Sequence, residues 1–193
     1  MKLHLYNSYK REKESFEPIK DGYVGLYTCG PTVYDYAHIG NFRTFIFEDL
    51  LKRWLIHLGY DVKHIMNITD VDDKTIKKAN DESVALNIIT DRYTSCFMED
   101  LKWLKMIPAD EFPRATDYID KMIRMIQALL DKNFAYKDND GSVYFDINSF
   151  QEYGCLTNLN IKDQKQTKRI NDDEYEKDSP QDFALWKGWK KED

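Results

Sequence analysis

The sequence predicts an α/β fold built on a parallel sheet, and three features of residues 22–68 carry that reading. Residues 22–29 (GYVGLYTC) are short, β-branched and aromatic, as a strand is. Phe42, Phe45, Ile46, Leu50, Trp54, Leu55 and Leu58 then recur at helical spacing. Residues 60–68 (YDVKHIMNI) form a second apolar strand. A helix between two apolar strands is the signature of a right-handed βαβ unit. Such sheets bind ligands beyond the carboxyl ends of their strands. Gly30-Pro31 ends the first strand and Gly59 stands where a glycine closes a helix. The loop 29–40 and the segment 69–74 therefore both fall on the ligand side.

Further along, Asp70 is placed to cap a helix over about 71–80. A longer helix comes next, with Ile89, Tyr93, Phe97, Leu101 and Leu104 on one face and Cys96 in the core. Residues 108–113, bounded by two prolines, form a break. Thr116 is placed to cap another helix whose Ile119, Met122, Ile123, Ile126, Leu129 and Leu130 face inward. Residues 134–137 and 142–146 flank Asp138-Asn139-Asp140-Gly141, a hairpin signal. After Asn160 the chain is strongly polar, and 178–182 have the character of a linker or solvated loop. Residues 183–187 are apolar again and begin a strand.

The chain has 193 residues, with 42% apolar and 32% charged, enough for one substantial domain or one carrying an insertion. No apolar run reaches the length of a membrane span, and the first residues lack an apolar signal core, so a cytoplasmic location is expected. A net charge of −6 disfavours a whole-surface nucleic-acid clamp and leaves room for local basic patches. Cys29, Cys96 and Cys155 are odd in number and widely spaced, which argues against a disulfide framework. A closed structural zinc site needs about four ligands, and three Cys with four scattered His do not spell one.

Chemistry concentrates in residues 29–41 (CGPTVYDYAHIGN). A loop between a parallel strand and a helix start presents free backbone N–H groups, a natural seat for phosphate. His38 stands just before that helix, in place to donate a hydrogen bond to a phosphate oxygen. Gly40 lets a flat base or ribose approach the backbone, and Asn41 offers an amide donor. Taken singly each has an ordinary role: a capping histidine, a turn glycine, a buried cysteine. Asp70, Asp72 and Asp73 are better explained by helix capping and dipole complementation than by ligand contact.

Together these residues resemble a family. His38-Ile39-Gly40-Asn41 is similar to the HIGH signature of class I aminoacyl-tRNA synthetases, with Asn in place of the second His. The flanks narrow the resemblance to the cysteinyl-tRNA synthetase family: residues 27–35 (YTCGPTVYD), 38–44 (HIGNFRT) and 67–74 (NITDVDDK). Residues 113–116 (PRAT), Gly154 with its neighbours and 178–187 (DSPQDFALWK) fit the same pattern. The resemblance covers essentially the whole chain, but only the N-terminal portion of that family's enzymes.

The resemblance implies a Rossmann-type parallel sheet, here its HIGH-motif half, with an α+β connective insertion. It implies that residues 1–110 are the first half of the catalytic domain, 111–180 the insertion, and 181–193 the start of the return. The implied activity is ATP-dependent activation of cysteine to cysteinyl-adenylate and its transfer to tRNA(Cys). By the same resemblance, His38 and Asn41 are expected to be catalytic. Gly30, Pro31, Thr32, His38, Gly40 and Asn41 are expected to bind ATP, with Mg2+. Cys29, Gly30 and Thr69 are expected to bind the amino acid, and Cys29 to be the first ligand of a Zn2+ ion that takes the substrate thiolate. The metal has a physical logic, because cysteine and serine differ only in S for O and a pocket judging shape alone separates such isosteres by only about 10²-fold, whereas zinc prefers the softer sulfur.

The family's remaining zinc ligands, its KMSKS lysine and its anticodon-reading domain have no counterpart in the 193 residues, and 187–191 (KGWKK) are not KMSKS. The chain is therefore expected to be a fragment, with a C-terminal half as its missing partner. Other readings stay open: a cysteine ligase with a small amine acceptor, a non-catalytic nucleotide- or zinc-binding fragment, and, more remotely, a general nucleotidyltransferase.

Overall fold

A computed structural model describes residues 2–156 and 182–189. In chain order the elements are β1 (His4–Asn7), β2 (Glu12–Ser15), β3 (Tyr23–Thr28), α1 (Ile39–His57), β4 (Asp61–Met66), α2 (Asp73–Asp81), α3 (Leu86–Trp103), a 3-10 turn (Ala115–Tyr118), α4 (Ile119–Asp131), β5 (Ala135–Lys137), β6 (Val143–Phe145) and β7 (Phe183–Trp186). They fall into two compact units, one of residues 17–119, the other of residues 2–16 with the described part of 120–191. The architecture is mixed α/β.

In the first unit β3 and β4 pair in parallel, from Tyr23 opposite Asp61 to Thr28 opposite Met66, and α1 is the crossover between them. Residues 108–113 are not a simple break. Residues 110–114 run parallel to β4 on its other side, with Ile65 opposite Glu111 and Ile68 opposite Arg114. Met66 donates its N–H to the Glu111 carbonyl (3.1 Å) and Ile68 to that of Pro113 (2.8 Å). Pro113 has no N–H to give, which an edge position tolerates. The described parallel pairing is thus two strands and one bridged segment.

The core of this unit joins Phe42 and Phe45 of α1, Met66 and Ile68 at the β4 end, and Ile89, Tyr93, Phe97 and Leu101 of α3. The ring of Phe45 meets that of Phe97 edge-on at 5.2 Å between centroids. Cys96 is half-buried beside this core rather than inside it, and Leu104 lies past the end of α3, 46% exposed. Gly59 comes directly after the α1 cap with φ +89, the left-handed turn that closes the helix.

Two caps differ from expectation. Asp72, not Asp70, caps α2, accepting the Lys74 N–H (2.9 Å). Asp70 is buried instead, and accepts both the Thr116 N–H (3.0 Å) and the Thr116 hydroxyl (2.6 Å). Thr116 is therefore inside the 3-10 turn, tied to the end of β4, and caps nothing.

In the second unit β5, β6 and β7 form an antiparallel sheet in that order. The β5–β6 turn is the expected hairpin, with Gly141 at φ +90. Asp182 is buried and accepts from the Tyr136 hydroxyl (3.0 Å) and the Ile147 N–H (3.2 Å). It is a structural tie rather than part of a solvated loop. α4 buries none of its residues fully: Met122 and Ile123, expected inward, are 37% and 49% exposed. The β1–β2 hairpin has no glycine in its turn. Asn7 closes it by accepting the Tyr9 N–H on its side chain (2.9 Å), and Arg11 takes the left-handed conformation. The polar stretch 160–181 lies outside the described residues.

Candidate active site at the ends of two parallel strands

The chain leaves β3 at Thr28 and β4 at Met66, side by side. Backbone hydrogen bonds then zip the two exits together. Thr69 donates its N–H to the Pro31 carbonyl (3.0 Å), and Val33 donates to the Thr69 carbonyl (3.1 Å). Gly30 donates to the Asn67 side-chain oxygen (3.2 Å), and the Asn67 amide donates to the Thr69 hydroxyl (3.2 Å). Gly30 is obligatory in this arrangement, since a Cβ there would stand 1.8 Å from the Asn67 carbonyl oxygen. The zipper brings Cys29, Gly30, Pro31, Thr32 and Thr69 together. The Cys29 thiol is exposed and free.

The loop then runs to α1 past a cavity of about 300 Å³, lined by Gly30, Pro31, Thr32, His38 and Asn41 among others. Cys29, Gly40 and Thr69 are not part of its lining, though Cys29 and Thr69 adjoin it through Gly30 and Pro31. Tyr34, Lys74, Tyr93 and Phe97, to which the sequence assigns no part in the site, also line it. The last two belong to the α3 stripe read as core, and only tertiary packing brings the middle of that stripe to the loop.

The α1 start is closed by its own side chains. His38 is the N-cap, and its Nδ1 accepts the Gly40 N–H (3.0 Å). Asn41 returns its side-chain oxygen to the His38 N–H (3.0 Å). The His38 carbonyl accepts from Asn41 and Phe42. The free N–H seat expected at this helix start is therefore largely occupied. An imidazole that accepts at Nδ1 carries its proton at Nε2 when neutral, so His38 keeps one donor to offer. Asn41, its oxygen engaged, keeps its NH2 group. Gly40 has a local reason as well, because a Cβ there would come within 2.8 Å of the His38 ring.

Under the zipper lies a buried polar layer. The Thr28 hydroxyl meets His64 Nε2 at 2.9 Å and also bonds Glu48 of α1. Burial pushes the Glu48 carboxyl above its ordinary range, the Thr28 bond partly opposing it. Burial also pulls the His64 imidazole down, and the Lys52 charge adds to that. In both cases burial disfavours the charged form. Lys52, 4% exposed, donates to the Pro108 carbonyl (2.8 Å) and pairs with Asp110 (3.4 Å). Asp110 is held low chiefly by the His64 backbone N–H, which donates to it at 2.7 Å. The layer locks α1, β3, β4 and the 110–114 segment to one another directly below Cys29.

Among the described residues no group of three or more His, Cys, Asp or Glu is arranged to hold a metal. Of the two exposed thiols, Cys29 and Cys155, Cys29 is the one at the strand ends, where it could serve as one ligand.

A family model described as the tRNA synthetases class I (C) catalytic domain matches residues 15–193. The chain is 54% identical over 189 residues to a cysteine–tRNA ligase of Chlamydia muridarum, covering 98% of this chain and 40% of that protein. A cysteine–tRNA ligase of Protochlamydia amoebophila is 51% identical over 192 residues, at the same coverage. The chain thus spans about 40% of the length of these relatives. In fold it is similar to a solved arginyl-tRNA synthetase structure from Campylobacter jejuni, with TM-score 0.53 and 14% identity over 71% of this chain and 40% of that one. With a matching family model over all but the first 14 residues, and two strand ends zipped beside a histidine-capped helix start, this chain belongs to the family of class I (C) tRNA synthetase catalytic domains.

Proposed function

We propose that the chain carries the adenylate-forming site of a cysteine–tRNA ligase. The observation that carries this reading is the zipper, which sets the Cys29 thiol and Thr69 on one side and the His38–Asn41 cavity on the other. The cysteine carboxylate attacks the α-phosphate of ATP, the α–β bond breaks, and pyrophosphate leaves with the electron pair. Cysteinyl-adenylate then passes its acyl group to the 3′ end of tRNA(Cys), releasing AMP.

In this reading Gly30, Pro31, Thr32 and Gly40 shape the nucleotide seat, with the ATP present as its Mg2+ complex. His38 Nε2–H and the Asn41 amide meet the negative charge that builds on the phosphate in the transition state. One donor placed this way is worth roughly 3 kcal/mol. Cys29, Gly30 and Thr69 form the amino-acid side. A Zn2+ ion, when bound, would favour thiolate over hydroxyl substrates. Cys29 is the ligand the described residues offer it, and the other donors would come from outside them.

The three-part organisation belongs to the same reading: 1–110 catalytic, 111–180 insertion, 181–193 return, within a Rossmann-type sheet larger than the β3–β4 pair. The first unit, residues 17–119, overlaps most of 1–110, while residues 2–16 group with the second unit. The partners are cysteine, ATP, tRNA(Cys) and the remaining C-terminal part of the enzyme, and the setting is cytoplasmic. No described helix is long and apolar enough to cross a membrane.

The test is cysteine-dependent ATP–pyrophosphate exchange, with serine as control. It is run on this chain alone and again with the C-terminal part of a relative added in trans. Exchange with cysteine and not serine, in either format, is the expected result. Exchange that serine supports equally overturns the cysteine assignment. Cysteine transfer to a small amine without tRNA would favour the small-acceptor ligase. The 40% coverage favours a second reading for the isolated chain: a nucleotide-binding piece without turnover, seen as ATP binding with no exchange.

A further inference from the structure

We propose that Lys74 supplies the fixed positive charge that holds the phosphate chain of ATP in the cavity beside His38, with the ring of Tyr34 as its support. The proposal rests on the reading of this cavity as the ATP site and adds a residue to it.

Phosphate is commonly met by the free N–H groups of a helix start. Both helix starts near the cavity have committed most of theirs. At α1, Gly40 donates to His38 Nδ1, and the N–H groups of Asn41 and Phe42 donate to the His38 carbonyl. At α2, Lys74 donates its own N–H to Asp72, and Asp72 donates to the Thr75 hydroxyl. Side chains are therefore left to meet much of the anion's charge. Neutral His38 and the Asn41 amide bring donors but no charge, and the lining carboxylate Asp35 brings a negative one. Its Oδ1 accepts the Tyr36 N–H at 2.8 Å, which does not neutralise it. Apart from Lys74, no described Lys or Arg lines the cavity to offset Asp35.

Lys74 answers that deficit. It lines the same cavity, and its ammonium stands 5.2 Å over the Tyr34 ring. Among the described residues no carboxylate forms an ion pair with it, whereas Lys78, one helical turn on, is paired with Glu82 at 3.2 Å. A cation over an aromatic face is oriented without losing its charge. Lys74 is thus positioned, solvated and uncommitted, which suits a group that waits for a mobile anion. Its contribution depends on the phosphates and not on the base.

The experiment measures equilibrium binding of ATP and of adenosine to the 193-residue chain and to Lys74→Met, Lys74→Gln and Lys74→Arg. Circular dichroism establishes that each variant is folded. The wild-type chain is expected to bind ATP more tightly than adenosine. Lys74→Met and Lys74→Gln weaken ATP by about 10- to 100-fold and leave adenosine unchanged, as expected for one charged contact. Lys74→Arg keeps most of the ATP preference. If both neutral variants retain the wild-type preference for ATP, or lose ATP and adenosine equally, the assignment of Lys74 is overturned while the cavity remains an ATP site. If the wild-type chain binds ATP no better than adenosine, the ATP reading fails, and Lys74 with it.

Discussion

Replacing Gly30 by alanine tests whether the zipper organises the site. The new methyl would sit 1.8 Å from the Asn67 carbonyl oxygen, 2.9 Å from the Met66 side chain and 3.0 Å from the Asn67 carbonyl carbon. The first of these is about 1.5 Å short of ordinary contact. The obstacle is backbone, so no rotamer change relieves it. The 30–33 and 67–69 segments must part, and three hydrogen bonds go with them: Gly30 to Asn67, Thr69 to Pro31 and Val33 to Thr69. At about 1 kcal/mol each the loss is roughly 3 kcal/mol. In urea, with a slope near 2 kcal/mol per molar, the unfolding midpoint falls by about 1.5 M. Gly25 is the internal control, because it lies in the same strand and a Cβ there meets nothing within 4 Å. Gly25→Ala should be neutral or stabilise by about 0.5 kcal/mol. If Gly30→Ala unfolds within about 0.5 M of the wild-type midpoint, the zipper is not the tight joint described, and its role in placing Cys29 and Thr69 falls with it.

Other predictions concern the cap, the buried layer and the β4 tie. His38→Asn keeps a good cap and loses the Nε2–H donor, so it should fold as stably as wild type yet slow pyrophosphate exchange; His38→Ala should cost about 1 kcal/mol of stability as well. Equal stability of the two variants would remove His38 from its capping role. Glu48, with its carboxyl raised by burial, binds more protons folded than unfolded between the ordinary carboxylate range and its raised value, so stability falls as pH rises through that window. His64, held low, acts oppositely: the unfolded chain takes its proton first, and stability falls as the solution is acidified through the ordinary histidine range. Urea midpoints across pH should therefore lose the Glu48 decline in Glu48→Gln and the His64 decline in His64→Gln, and unchanged profiles would contradict the buried layer. Asp70→Ala removes two hydrogen bonds to a buried carboxylate and should cost about 3 kcal/mol, about half of it absent when Thr116→Ala is already present, because that variant loses the hydroxyl donor and keeps the backbone N–H. Additive losses in that double-mutant cycle would break the Asp70–Thr116 tie.

The βαβ unit was legible because each of its parts is local: an aromatic, β-branched strand, a helical stripe from Phe42 to Leu58, and Gly59 to stop it. The position of His38 before the helix came from the same pattern. Asp70 and Asp72 look equally suited to cap from sequence, and what separates them is tertiary. Asp70 faces the 110–116 segment, whose approach along β4 no local signal announces, since two prolines argue for a break. The Met122 and Ile123 side of α4 has the period of a buried face, but periodicity cannot say how much of a face a neighbour covers. Lys74 escaped notice because a lysine at the second position of a helix is ordinary. Its standing over Tyr34 depends on the 29–40 loop meeting the first turn of α2. Asn7 shows the converse case: a turn made by a side-chain acceptor and Arg11, with no glycine or proline to mark it.

The His38 cap makes one amide a built-in reporter. The Gly40 N–H is bound to the ring nitrogen of the residue proposed to engage the phosphate. If the ring stays in place as ATP arrives, that amide keeps its partner. If the ring swings toward the phosphate, Gly40 is released, and a ligand oxygen or water inherits it. Glycine amides resonate apart from most others in a nitrogen–proton spectrum, so this single signal tells whether the site receives its nucleotide with a rigid histidine or exchanges one acceptor for another at the first turn of α1.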